Sequence, residues 1–203
     1  MMEHKAEKAI DFFKQSIALE PTVHAYLNMA AAYNQMLDIE EQVHYLGKVI
    51  EMDGPEGQYT AVAKAELLQL SLDLEQTSGL TLAAFLENKK QFDTAFEHLS
   101  AQRFEEAVRG FTHILDIRPR HVQSHGNLGL AYAGLGNLEK AVAHLQQAIE
   151  LDPEYQPAKD NLRILLALRP GETLDFTAMR RIEFYKEKHT KRKRRLRLQR
   201  VGA

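Results

Sequence analysis

The sequence predicts an all-α repeat protein, a solenoid of about nine or ten helices paired as helix–turn–helix units, with a C-terminal capping helix and a flexible basic tail. Three observations predict this. Apolar residues recur at three- and four-residue steps, as in Leu138, Ala141, Val142, Leu145, Ala148 and Ile149, the spacing of one face of a helix. Residues 104–121 and 138–155 superpose at a constant offset: Phe104 matches Leu138, Ala107 matches Ala141, Phe111 matches Leu145, Ile114 matches Ala148 and Pro119 matches Pro153, each pair 34 residues apart. A fixed period of this size marks stacked supersecondary units, none of which buries its apolar stripe alone. The composition fits: 203 residues, 44% hydrophobic and 27% charged, is that of a foldable globular chain with material for a core.

The elements follow in order. Residues 3–20 carry a further copy of the pattern at Ala9, Phe13, Ile17 and Pro21. This copy matches only a second helix. With its partner helix absent, the face made by Ala9, Ile10, Phe13 and Ile17 is expected to be incompletely covered. Two readings stay open there: a homodimer or partner surface at an end unit, or local packing that suffices. The same feature leaves open that the chain is a fragment of a larger protein. Pro21 and Pro119 are 98 residues apart, four short of three periods. The irregularity falls in 57–80, where Leu67, Leu68, Leu70, Leu72 and Leu74 predict one long helix over about 59–76, ending at Ser78-Gly79. That helix joins two sub-arrays or is a degenerate unit, and a kink is expected at it. Thr81 is placed to cap the next helix, which runs to Ser100.

Gly136-Asn137 breaks the chain between the two helices of one unit. Asp152-Pro153 ends the second helix, since proline lacks the amide hydrogen and restricts the residue before it. Ala107 and Ala141 are expected where two helices cross closely. Residues 157–168 read as the first helix of a further unit. After Arg169-Pro170-Gly171 a last helix is expected over 174–188, with Phe176, Met179, Ile182, Phe184 and Tyr185 on it. The expected organisation is therefore an N-terminal sub-array (1–56), a connecting helix (57–80), a C-terminal sub-array (81–170), a capping helix (171–189) and a basic tail (190–203).

Several function classes fall away. With no cysteine there is no disulfide, thiol nucleophile, iron–sulfur cluster or cysteine zinc site. No apolar run reaches the roughly 18–20 residues of a membrane span, and the start lacks the basic-then-apolar pattern of a secretory signal. A cytoplasmic location is expected. His121 and His125 are four apart, a spacing that brings two ligands to one helical face, but no acid accompanies them in an HExxH arrangement. They read as packing or surface histidines. Gly134-Leu135-Gly136 joins two helices rather than a strand and a helix, so it fails as a dinucleotide loop. Ser100 and Ser124 have no evident base partner. No catalytic residue, metal site or cofactor is expected.

The net charge of −2 conceals an asymmetry. Residues 180–203 hold 11 Lys/Arg and two acids, a net of +9, which leaves 15 basic and 26 acidic residues in 1–179, a net of −11. Lys191, Arg192, Lys193, Arg194, Arg195 and Arg197 form the densest part. The tail fits a nucleic-acid contact, an anionic membrane surface or a nuclear address, docking on the chain's own acidic body, or simply a solubilising tail. No aromatic residue lies in 190–203, so base stacking is not expected.

The residues that carry the period also carry a family resemblance. Residues 121–153 hold Leu128, Gly129, Tyr132, Gly136, Ala141, Leu145, Ala148 and Pro153, and in this they resemble the tetratricopeptide repeat (TPR) family. Residues 92–119 are similar through Ala95, Phe104, Ala107, Phe111 and Pro119. Residues 23–54 are similar more weakly, through Met29, Ala30, Tyr33, Leu46 and Val49, with Gln42 and Gly54 in place of the pattern's alanine and proline. The resemblance implies a right-handed superhelix whose first helices line a concave groove for a partner peptide. Carried over, the groove would present Asn28 from the first sub-array, then Phe92, Asp93, Phe96 and Leu99. Next come Gln123, Asn127, Leu130 and Ala133, and finally Asp160, Asn161 and Ile164. Asn127 and Asn161 are 34 apart. A side-chain amide both donates and accepts, which suits it to holding a peptide backbone without reading its sequence. The two-asparagine carboxylate clamp of some TPR proteins is incomplete, with Gln123 and Pro157 where lysines are expected and Arg163 the lone basic neighbour. The implied function is a non-enzymatic adaptor that binds an apolar peptide with a basic residue. The alternatives are a nucleic-acid-associated adaptor using the tail, and a TPR portion that targets a larger enzyme.

Overall fold

The computed structural model describes residues 2–169, 172 and 174–181, with side chains from Lys8 onward. Among the described residues there is no strand. The described residues form nine α-helices in succession: α1 (Met2–Leu19), α2 (Val23–Met36), α3 (Ile39–Asp53), α4 (Gln58–Ser78), α5 (Leu82–Ser100), α6 (Phe104–Ile117), α7 (Val122–Gly134), α8 (Leu138–Leu151) and α9 (Gln156–Ala167). The fold is an all-α stack of helix–turn–helix units. The chain divides into two compact units, one running to Leu86 and the other starting at Glu87.

Four of the helices start at a side-chain cap. Thr22 Oγ1 accepts from the Ala25 amide at 3.1 Å, Asp38 Oδ1 from Glu41 at 3.3 Å, Thr81 Oγ1 from Ala84 at 3.2 Å and Asn137 Oδ1 from Lys140 at 3.1 Å. Each satisfies an amide that the first turn of a helix leaves without an intrahelical partner. The turn inside each unit takes one shape. Leu37, Gln102 and Gly136 occupy the same place in it, all with positive φ (65°, 57° and 75°). Glycine adopts that conformation without steric cost, but leucine and glutamine do not.

The first unit packs two apolar clusters. Ile10, Met29, Ala32 and Tyr33 are buried together, with Phe13, Ile17, Met36 and Tyr45 against them. The face of α1 is thus met by α2, and Phe13 and Ile17 are left half-buried. Ala30, Leu46, Val49 and Ala63 form the second cluster, which joins α2, α3 and α4. Where the repeat pattern lacks its proline, an aspartate makes the turn. Asp53 Oδ2 accepts from the amides of Tyr59 and Thr60 at 2.8 Å each, and Thr60 Oγ1 donates to the Gly54 carbonyl at 2.7 Å. A Cβ on Gly57 would stand 1.9 Å from Asp53 Oδ2, so only glycine admits this cap.

In the second unit the small residues permit the close crossings that the repeat predicts. Ala107 and Ala141 are wholly buried. A Cβ on Gly129 of α7 would lie 3.0 Å from the Ala141 carbonyl oxygen on α8, and one on Gly110 of α6 would lie 2.7 Å from the Ala95 Cβ on α5. Phe92, Leu99, Phe111, Ile114, Leu130 and Leu145 are the large side chains of this core.

The C-terminal segment differs from its expected form. Over the described residues 174–181 there is no α-helix, but a single 3₁₀ turn at Phe176–Ala178 followed by extended backbone at Met179 (φ −81°, ψ 138°). Asp175 caps that turn, its Oδ1 accepting from the Thr177 amide at 2.9 Å and from Thr177 Oγ1 at 2.6 Å. The turn does not continue as an α-helix because the Arg180 amide, which would there donate to the Phe176 carbonyl, donates instead to Asn161 Oδ1 at 2.7 Å. The rest of the expected capping helix, and the tail, lie outside the described residues.

Candidate functional site

Helix α9 places the key side chain. Pro157 stands in its first turn, where the missing amide hydrogen costs nothing. Ala158, Asn161 and Leu165, at three- and four-residue steps, form its buried face. A buried amide costs free energy unless its donor and acceptor are both engaged. Asn161 meets that requirement with one residue, 19 positions further on. Asn161 Nδ2 donates to the Arg180 carbonyl at 2.8 Å, and the Arg180 amide donates to Asn161 Oδ1 at 2.7 Å. This paired contact reads main chain only.

The chain returns to α9 through a short reversal. The Glu172 amide donates to the Arg169 carbonyl at 3.0 Å, and the Arg169 amide donates to Glu172 Oε2 at 2.9 Å. The segment is anchored a second time by aromatic packing. Phe176 meets Phe104, the first residue of α6, edge to face with ring centroids 4.8 Å apart. Phe104 in turn covers Gly134 at the end of α7, where a Cβ would stand 2.4 Å from the ring. Between these anchors Met179 is buried to 4% exposure, while Thr177, Ala178 and Arg180 are exposed. The arrangement is a single 3₁₀ turn and the extended residue after it, held by two apolar side chains and one main-chain clamp.

The residues expected in a groove divide accordingly. Phe92, Gln123, Asn127, Leu130 and Asn161 are buried rather than open to solvent. Leu99 and Ala133 are buried as well. Phe92 is a core residue, edge to face with Phe111 and His121. Phe96 and Ile164 are half-buried, and Phe96 stacks on Phe92 with centroids 6.4 Å apart. Asp93 pairs with Lys89 one turn earlier, and Asp160 pairs with Arg163. Asn28 is exposed on α2, in the first unit. Lys191, Arg192, Lys193, Arg194, Arg195 and Arg197 lie outside the described residues. Sequence reasoning missed Phe176, Met179 and the Arg180 main chain. Their only signal was the three-residue step from Phe176 to Met179, which also fits a helix.

The histidines pack. His121 Nδ1 lies 2.7 Å from Ser124 Oγ, so Ser124 has an imidazole partner that its sequence context had not suggested. Both are buried, Ser124 completely, and no substrate could reach the hydroxyl. His125 Nε2 lies 2.9 Å from the Pro119 carbonyl, and its Nδ1 lies 3.2 Å from His144 Nδ1 on α8. His144 stacks on Tyr132 with planes 7° apart, and Lys140 sits over that ring. Burial lowers the pKa of His125 and, first among its causes, that of His144, which the neighbouring His125 and Lys140 charges lower further. Among the described residues no group of three or more potential ligands could hold a metal ion. No described helix is long and apolar enough to cross a membrane.

Comparison with known proteins adds the family. The pattern described as tetratricopeptide repeat matches residues 122–155, and a second pattern of the same description matches 23–55. Stress-induced-phosphoprotein 1 of Caenorhabditis elegans is 26% identical over 153 residues, covering 73% of this chain and 47% of that protein. Heat shock protein STI1 of Saccharomyces cerevisiae is 31% identical over 65 residues, 32% of this chain and 11% of that one. The human FK506-binding protein-like is 36% identical over 56 residues, 28% of this chain and 16% of that one. The chain thus spans less than half the length of each of these relatives. Among solved structures, YrrB, titled a TPR protein with an unusual peptide-binding site, is 22% identical and covers 77% of this chain and 82% of its own, with a TM-score of 0.40.

Proposed function

Because the chain is a tetratricopeptide repeat protein, with repeats at 23–55 and 122–155, we propose that it is a non-enzymatic adaptor that takes an extended partner peptide along the inner helices of its second unit. One observation carries this reading: Asn161 holds the main chain of Arg180 through a paired donor and acceptor. An amide used in this way suits a peptide of any sequence, and the apolar neighbours then select side chains. Asn127 stands one repeat earlier and is offered as the matching position on α7. Phe96 and Ile164, half-buried, supply apolar contact, and a basic residue in the ligand would share Asp93 with Lys89 or Asp160 with Arg163.

The test begins by selecting short random peptides, displayed on phage, against the whole chain. The affinity of a selected peptide is then measured by fluorescence anisotropy. The Phe96→Ala, Asn127→Ala double variant, once shown by circular dichroism to be folded, should bind at least about tenfold more weakly, a loss of about 1.4 kcal/mol. Undiminished binding by the folded variant would overturn the reading.

The charge asymmetry favours a second reading, in which 191–197 of the tail hold a polyanion while the repeats hold a protein. Its basis is the net +9 of residues 180–203, and its test is a salt dependence, argued below.

A further inference from the structure

We propose that residues 175–181 are an internal ligand of the second unit: they occupy the peptide-binding face in the resting chain, and a partner peptide must displace them by presenting the same chemistry. This rests on the reading that the inner face of this unit takes peptides. The contacts that anchor the segment are ones that a peptide in trans could make. Its main chain is held by Asn161 at Arg180. Two of its side chains anchor it on the unit, Phe176 on Phe104 and buried Met179. The spacers Thr177 and Ala178 are exposed, as is Arg180.

The partner chemistry follows from that division. The preferred ligand has an aromatic residue, two solvent-facing residues, an unbranched apolar residue, and then a residue whose amide and carbonyl are both offered to Asn161. A flexible methionine fits an irregular apolar slot better than a branched side chain does. The last position must offer both main-chain groups, which excludes proline, since proline has no amide hydrogen.

Tethering makes the segment an effective competitor. Only a few residues separate the end of α9 at Ala167 from Phe176. A short tether holds a segment at an effective concentration of roughly millimolar. A free peptide of like sequence therefore binds the resting chain weakly, and stronger partners are those whose anchors exceed Phe176 and Met179.

The test uses a fluorescein-labelled peptide of residues 174–181 and the whole chain in three forms. These are the unaltered chain, a released form with Phe176→Ser and Met179→Ser, and the released form with Asn161→Leu added. The released form should bind the peptide at least about tenfold more tightly than the unaltered chain, and Asn161→Leu should abolish that gain. Equal binding by a folded released form and the unaltered chain overturns the proposal. A phage-selected peptide separates this failure from failure of the adaptor reading. If it binds both forms equally and the 174–181 peptide does not compete, the adaptor stands and the internal ligand falls. If no peptide binds either form, both fall. Should the released form not fold, amide hydrogen exchange on the unaltered chain decides. Saturation with the selected peptide should speed exchange at the Arg180 amide while the α8 amides keep their protection. Unchanged exchange at Arg180 overturns the proposal.

Discussion

At the scale of single residues, the protonation of His125 is set by what it faces. The Pro119 carbonyl can only accept, so His125 Nε2, 2.9 Å away, carries the hydrogen. In the neutral ring Nδ1 is then bare and accepts from His144 Nδ1, 3.2 Å away. A proton added to His125 would set one N–H against another inside a buried contact. Both imidazoles accordingly sit below the ordinary histidine value of about 6.5, with burial the leading cause for each. The sign of the pH effect follows. Below about pH 6.5 the unfolded chain binds protons at these sites more readily than the folded chain, so stability falls as pH falls. Their contribution is whole above about 6.5 and is lost as pH drops from there through the lowered folded values. Urea unfolding should show a lower midpoint at pH 5.5 than at pH 7.5. His144→Phe, which keeps the stack on Tyr132, should reduce that difference. A midpoint difference as large in the variant as in the unaltered chain would exclude this pair as its source.

At the scale of elements, three turns of one shape make a controlled comparison. Each takes a left-handed residue followed by the N-cap of the next helix. Gly136-Asn137 meets both demands, and Leu37-Asp38 meets the second. Gln102-Arg103 meets neither: Gln102 has φ 57°, and Arg103 makes no side-chain cap. Gln102→Gly relieves the left-handed cost, roughly 1–2 kcal/mol before the entropy glycine adds to the unfolded chain. Arg103→Asn supplies an amide acceptor to the first turn of α6, about 0.5–2 kcal/mol. The double variant should raise the thermal midpoint without altering the helical circular dichroism, and an unchanged or lower midpoint would refute this account. The same turns show what could be read in advance. Gly136-Asn137, Asp152-Pro153 and Thr81 announce their helix ends because a single residue type fixes the local backbone. The turn at Asp53 was not legible, because its cap acts on amides six and seven residues on and depends on the space left by Gly57. The C-terminal segment was misread for a related reason. The step from Phe176 to Met179 fits a helix as well as a strap, and what decides between them is a contact with Asn161, 19 residues from Arg180. The repeat period located the buried faces correctly but placed Phe92, Leu130 and Asn161 at an open surface. A 34-residue alignment records which way a side chain points and not what packs on it.

At the scale of the whole molecule, charge is the one property that the repeats do not determine. Residues 1–179 carry a net of −11 and residues 180–203 a net of +9. A polyanion meets repulsion from the first and attraction from the second, and the balance depends on ionic strength because each neutralised phosphate releases a condensed counterion. With no aromatic residue in 190–203, the tail has no means of stacking on bases, so any binding to DNA should be indifferent to sequence. Engaging six to nine phosphates gives a log–log slope of binding constant against salt of roughly −5 to −8. The measurement is fluorescence anisotropy of a labelled DNA duplex between low and physiological salt, with the whole chain and with a chain ending at Lys188. The whole chain should give the steep slope. The shortened chain, which loses Lys191, Arg192, Lys193, Arg194, Arg195, Arg197 and Arg200, should bind negligibly, because its acidic part then dominates. Equal binding by the two chains would place the polyanion contact outside the tail. A slope near −1 would mean that no such array of phosphates is engaged, leaving the tail no part in holding nucleic acid.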